Sequence, residues 1–265
     1  MKHPSSQFLV YGDPGSGKSQ FAATFPTPML VLFTDPRGKA MPYIKLGTLL
    51  DEGVYDDNTP YSVVGSKKTG KPAITIEYYT DDNIRGGPRT VYAYERLEQR
   101  LAGLKDEVFA GQWKTVVLDS LSFLEYQVRK LHQYKLNPES NAGNVQDARQ
   151  WYNSSAEVIE EFCYSHLAWL PINVVVLAHV RDTKSNIRGQ TTWVPEAPGV
   201  KGRKLPGAFA EVYVLHSTGE GRCLQTENDT AFIATTQIMA PNGCYPRYRD
   251  LWVNWDAEHS DSAMG

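Results

Sequence analysis

Five short apolar runs punctuate the chain, at residues 8–11, 29–34, 113–119, 171–178 and 209–215, and each closes on a polar residue or a turn. Uninterrupted apolar runs of this length suit strands covered on both faces. Between them the spacing changes. Leu97, Leu101, Leu104 and Val108 recur at helical intervals, predicting a helix over 93–109 that ends near Gly111. Further helices are expected over 20–24, 121–134 and about 147–167. Strands alternating with helices predict an α/β domain, a mostly parallel sheet flanked by helices.

Residues 50–90 break this alternation. Runs 61–64 and 73–79 flank the basic stretch Ser66-Lys-Lys-Thr-Gly-Lys71, which predicts an inserted β-hairpin with a basic tip. At the other end of the chain, 222–226 and 232–236 read as a final antiparallel hairpin. Trp252 and Trp255 are expected to pack at the sheet edge. The polar stretch 137–145 is expected to be a mobile loop, and the acidic tail 256–265 to be disordered.

With 265 residues, 41% hydrophobic and 22% charged, the composition is that of a globule, and one domain is expected over 1–255. No run approaches the ~18 apolar residues of a membrane span. The chain enters its first strand at once, so no signal peptide is expected. Cys163, Cys223 and Cys244 lack metal-ligand spacing and suit a reducing cytoplasm. The net charge of −3 gives no global attraction to nucleic acid, so any such contact must come from a local patch.

Gly12-Asp13-Pro14-Gly15-Ser16-Gly17-Lys18-Ser19 stands between the first strand and Gln20, the start of the first helix. Gly12, Gly15 and Gly17 let the backbone curl so that its N–H groups point at phosphate oxygens, and a helix N-terminus adds positive potential. Lys18 reaches the β- and γ-phosphates while the Ser19 hydroxyl ligates Mg²⁺. The strand 113–119 ends in Asp119, where a parallel strand would place a carboxylate beside the loop to hold the ion or its water. Asp119 could instead cap the following helix, and Ser120 is a second candidate for that cap. The strand 171–178 runs into His179, a candidate sensor of the γ-phosphate, and Arg181.

Between 181 and 204 six bases, Arg181, Lys184, Arg188, Lys201, Arg203 and Lys204, face two acids, Asp182 and Glu196, a local net of 6 − 2 = +4. Such a flexible, basic segment is the best candidate for an anionic partner, and Trp193 inside it could stack on a base. Lys201, Arg203 or Lys204 could alternatively reach the γ-phosphate of a neighbouring subunit.

Together the loop 12–19, the strand ending at Asp119, the strand leading to His179 and Arg181, and the basic segment before the run 209–215 resemble RecA-like P-loop ATPases. Within them the chain looks most like small phage-encoded ATP-binding proteins, a core-only group related to single-strand-annealing recombinases. The resemblance spans residues 6–250, with 50–90 its weakest stretch. It implies a cytoplasmic ATPase using ATP and Mg²⁺ on single-stranded DNA in phage recombination or replication, in rings or filaments and alongside other phage proteins.

One departure stands out. Relatives carry a water-activating glutamate shortly after the second strand, where this chain reads Thr34-Asp35-Pro36-Arg37. Arg37 cannot accept a proton, so Asp35 is the candidate base and Glu125 a weaker one. The catalytic set is therefore Lys18, Asp35, Asp119 and His179. Two other functions compete with a DNA-dependent ATPase: a nucleotide-gated binding or assembly protein with little hydrolysis, and a small-molecule kinase with the 181–204 segment as its lid.

Overall fold

The computed structural model describes residues 3–55, 58–81, 91–132, 149–184, 191–196 and 204–261. The strands are β1 (Gln7–Gly12), β2 (Met29–Phe33), β3 (Gly47–Val54), β4 (Pro60–Ser66), β5 (Pro72–Tyr78), β6 (Thr115–Asp119), β7 (Asn173–Lys184), β8 (Thr191–Pro195), β9 (Glu211–Thr218) and β10 (Gly221–Gln225). The helices are α1 (Lys18–Ala22), α2 (Met41–Ile44), α3 (Ala93–Phe109), α4 (Leu121–Leu131), α5 (Arg149–Glu161) and α6 (Val253–Asp261). A π-helical stretch, Phe162–Leu167, prolongs α5.

The strands form one sheet in the order β10-β9-β1-β7-β6-β2-β5-β4-β3, with β8 pairing to the far end of β7. From β9 to β5 every neighbour is parallel. The apolar runs are continuous because both faces are covered. Along β1, Leu9 and Tyr11 enter the core beneath α3, α4 and α5, while Phe8 and Val10 enter the opposite core with α1 and the C-terminal segment. Each of these side chains is fully buried, a contribution of about 1.5–3 kcal/mol for an aliphatic one. Parallel pairing brings the C-terminal ends of β1, β2, β6 and β7 to one edge, where the polar residues that close the apolar runs converge.

The expected α/β sheet is present, and three local expectations are corrected. The hairpin expected over 61–79 is present, β4 pairing antiparallel with β5, and it is built into the sheet. Its second strand, β5, pairs parallel with β2, and an unexpected strand, β3, pairs antiparallel with β4 and closes that edge. β3 escaped notice because it is exposed along most of its length and so lacks alternation. β10 pairs with β9 rather than with 232–236, since a two-residue loop at Gly219 and Glu220 returns the chain directly. Residues 232–236 make only isolated bridges, Phe232 to Trp193 and Thr235 to Val212.

The 181–204 segment is not wholly a loop. β7 continues to Lys184, and β8 folds back antiparallel along it. Its stretches 185–190 and 197–203, like the polar stretch 137–145, lie outside the described residues. Helix α6 occupies part of the tail expected to be disordered. It is anchored by His3, whose Nε2 lies 2.9 Å from Asp256 and whose ring stacks on the buried Trp252 at 4.4 Å. Among the described residues no helix is long and apolar enough to cross a membrane.

Candidate active site at the strand ends

Residues 12–17 wrap the end of β1. Gly15 and Gly17 adopt φ of 81° and 105°, the left-handed region that glycine enters without steric cost. Gly12 is required for a different reason than backbone curl: a Cβ there would strike the Leu215 carbonyl of β9. The loop is closed by Ser16 N–H donating to the Asp13 carbonyl at 3.1 Å. The buried Ser16 Oγ has no hydrogen-bond partner among the described residues, and space around Gly15 is open.

Lys18 folds back over this loop. Its Nζ donates to the carbonyls of Gly12 and Asp13, each at 2.8 Å. Burial pushes its pKa down to about 8, against the pull of Asp119, Asp35 and Asp13. The ammonium is thus largely charged at neutral pH. Among the described residues its hydrogen bonds go only to main-chain carbonyls, which an anionic ligand can replace.

Asp119, at the end of β6, is buried behind Lys18. Tyr43 of α2 donates its hydroxyl to Asp119 Oδ2 at 2.8 Å, and Ser19 hydrogen-bonds to the same carboxylate. Burial and then the nearby Asp35 raise the Asp119 pKa to about 6; Ser19, Tyr43 and Lys18 oppose the rise. The reading of Asp119 as a helix cap is not supported by the geometry. Ser120 occupies the N-cap position of α4 without making a side-chain cap. Its Oγ instead donates to Asp35 Oδ1 at 2.6 Å.

Asp35 is 5% exposed, and Lys39 Nζ stands 3.3 Å from its Oδ2. The tips of β2 and β6 are stitched together around it. Thr34 N–H donates to the Asp119 carbonyl at 2.7 Å, and Thr34 Oγ1 receives Ser120 N–H at 2.9 Å. Hence Asp35 and Asp119 are brought side by side, as required if one holds an ion and the other orients water.

His179 lies opposite Gly12 in the β1–β7 register. Its N–H donates to Ser122 Oγ at 2.9 Å, and its carbonyl accepts from Glu196 N–H at 2.7 Å. Burial, then the charge of Lys18, lowers its pKa, so the ring is neutral at pH 7. Its Nδ1 is buried without a partner among the described residues. Glu125 belongs to a different group: its electrostatic neighbours are Arg129, Glu196 and Arg181, and burial raises its pKa.

The donor set fits Mg²⁺ bound to a polyphosphate. Ser19 and Asp119 offer hard oxygens, and Mg²⁺ takes few protein ligands and completes its shell with phosphate and water. The loop, with its orphaned Ser16 hydroxyl and ammonium on carbonyls, fits the phosphates. Among the described residues no cluster of three His, Cys, Asp or Glu would hold a metal unaided.

The basic candidates are scattered by comparison. Arg181 pairs across to Val194, and Lys184 to Thr191. Lys204 is exposed before a short 3-10 helix, Leu205–Ala208. Arg188, Lys201 and Arg203 lie outside the described residues. A cavity of about 220 Å³ joins this region to the loop, with Asp13 on one wall and Trp193, Phe232 and His216 on others. Sequence reasoning missed Tyr43, Thr34, Lys39 and the partner of Gln20, which is Arg222 of β10. None sits at a spacing that marks it.

The AAA domain family, AAA_24, matches residues 5–237. Among solved structures, the chain is similar to an ATPase from the type III secretion system of pathogenic bacteria, with 12% identity and a TM-score of 0.42, covering 82% of this chain. The chain spans only 53% of that protein. It is also similar to a KaiC-like protein from the archaeon Pyrococcus horikoshii OT3, with 13% identity and a TM-score of 0.37, covering 84% of this chain and 78% of the other. No curated protein matches the sequence. The glycine-rich loop with Lys18 and Ser19, the acid at the end of β6, the parallel sheet beneath them and the family match from residue 5 to 237 lead to one conclusion: the chain belongs to the AAA domain family of P-loop ATPases.

Proposed function

We propose that this chain is a RecA-like, Mg²⁺-dependent ATPase that acts on single-stranded DNA in phage recombination or replication, assembled with further copies of itself in a ring or filament. The observation that carries the ATPase reading is the meeting of Lys18, Ser19, Asp119 and Asp35 at one end of the loop. Lys18 presents its ammonium to the terminal phosphates. Ser19 and Asp119 would hold Mg²⁺, which when bound neutralises charge between the β- and γ-phosphates.

Asp35 orients the attacking water and accepts its proton, its carboxylate steered by Ser120 and Lys39. His179, in register with Gly12 and with its Nδ1 unpartnered among the described residues, would read the γ-phosphate and, through Glu196, ties the state of the site to β8. Support for the DNA partner comes from the local excess of six bases over two acids between 181 and 204, and from Trp193, 36% exposed on β8. Glu196, just after β8, is bonded to the His179 carbonyl, so a ligand on the β7–β8 ladder would be coupled to the nucleotide site.

Phosphate release with and without single-stranded DNA tests this reading. Turnover that rises with DNA and vanishes in Lys18→Ala is expected; turnover indifferent to DNA would remove the DNA partner.

A second reading, nucleotide-gated binding with little hydrolysis, is favoured by the state of Asp35, whose two oxygens are both engaged by Ser120 and Lys39. A large thermal shift with Mg·ATP but negligible phosphate release would select it.

A further inference from the structure

Arg222 of β10 lies across the end of the loop where α1 begins. Its Nε, Cδ and Cζ come within 2.9 Å of the point that a Cβ on Gly17 would occupy. Its guanidinium donates to Gln20 Oε1, and among the described residues no carboxylate pairs with it. A guanidinium stays protonated at any working pH. Here that charge rests on a glycine and a neutral amide, an arrangement that leaves most of its five donors for something else.

The direction in which a triphosphate would lie follows from the opposite end of the loop. Lys18 Nζ stands over the carbonyls of Gly12 and Asp13, with Asp119 and Asp35 as charged neighbours and His179 in register with Gly12. Since the lysine of such a loop serves the β- and γ-phosphates, the terminal phosphate belongs at that end. The α-phosphate then leaves over Gly17 and Gln20, directly beside Arg222.

We infer that Arg222 binds the α-phosphate of the nucleotide from within the same chain, exchanging its contact with Gln20 for phosphate oxygens. This rests on the nucleotide-binding reading above and adds to it a residue that sets affinity without reading the γ-phosphate. It also explains Gly17 in a second way: any side chain there would push the guanidinium off the loop, quite apart from the positive φ. Planar, bidentate donors suit a phosphate better than an ammonium does, so lysine should be a poor substitute.

Calorimetric titration of the full chain with Mg·ATP and with Mg·ADP tests the inference, using the natural protein, Arg222→Ala and Arg222→Lys. Arg222→Ala should weaken both ligands by the same factor, about tenfold to a hundredfold for a lost charged hydrogen bond, leaving the ATP-to-ADP ratio unchanged. Arg222→Lys should recover part of the loss. The melting temperature of the ligand-free protein should not change, because the side chain lies on the surface of a hairpin.

Three results would overturn it: affinity unchanged in Arg222→Ala, a loss for ATP alone, which would put the arginine on the γ-phosphate, or tighter binding, which would make it a plug. If the natural protein bound neither nucleotide, the nucleotide reading itself would fall and this inference with it. An unchanged Arg222→Ala removes the inference alone.

Discussion

At the end of the loop near Gly12, the side chains of Lys18, Asp119, Asp35 and Tyr43 are buried and each is tied to a fixed partner. At the other end, Gln20 is exposed and Arg222 rests on Gly17 from an edge hairpin. The first end takes charges out of water and holds them ready, a geometry that costs stability in the absence of ligand. The second keeps its charge near solvent, where it costs little. Chemistry that depends on precise placement is therefore expected at the buried end, and simple affinity at the open one.

The strongest way to break this contrast is Lys18→Ala. Turnover should fall at least about a hundredfold, the loss typical of removing a preorganised charge stabiliser, in a phosphate-release assay. If turnover survived, the buried end would not be where the chemistry occurs.

Asp119→Asn should also lower turnover by about a hundredfold and abolish the Mg²⁺ dependence of nucleotide binding measured by calorimetry. Unlike most site substitutions, it should stabilise the ligand-free protein, raising its melting temperature by about 2–4 °C, because a carboxylate penalised by burial is removed.

The same group predicts two opposite pH slopes. Its pKa is about 6 in the folded chain, against 3.8 for a free aspartate, so between these values the folded state holds more protons than the unfolded one. Its contribution to stability is therefore present at low pH and is lost as pH rises from about 4 to 6. Mg·ATP affinity should climb as pH rises through about 6, as the carboxylate ionises. Both slopes should vanish in Asp119→Asn; a slope persisting in that variant would assign it to another group.

His179→Ala sharpens the comparison further. About tenfold lower turnover is expected, with ATP affinity reduced and ADP affinity unchanged, in contrast to the equal loss of both ligands expected for Arg222→Ala. The smallest effect should come from Tyr43→Phe. It removes one donor to Asp119, moving the pH midpoint of Mg·ATP binding upward while turnover at pH 7.5 changes less than about threefold.

Much of this architecture is visible in the residues alone. The bounds of α3 agree with its apolar spacing, and the central strands agree with their apolar runs, because burial on both faces leaves little choice of residue. β3 was invisible because it is held by main-chain pairing while its side chains stay in water. The same logic separates the site residues. Residues 12–19 are contiguous, so their motif can be read directly.

Tyr43, Ser120 and Arg222 act on partners 76, 85 and 202 positions away, and no local pattern encodes such meetings. Ser120 is instructive. A serine before a helix reads as a cap, yet the stitching of β2 to β6 puts Asp35 within its reach and redirects its hydroxyl.

What the sequence determined by itself is the set of buried strands and the kind of chemistry at the end of β1, since both follow from backbone freedom and spacing over a few consecutive residues. Only the tertiary structure decided which groups surround that chemistry. Parallel pairing aligns strand ends drawn from distant parts of the chain, and the charges they carry acquire their final pKa values and partners only once water has been excluded between them.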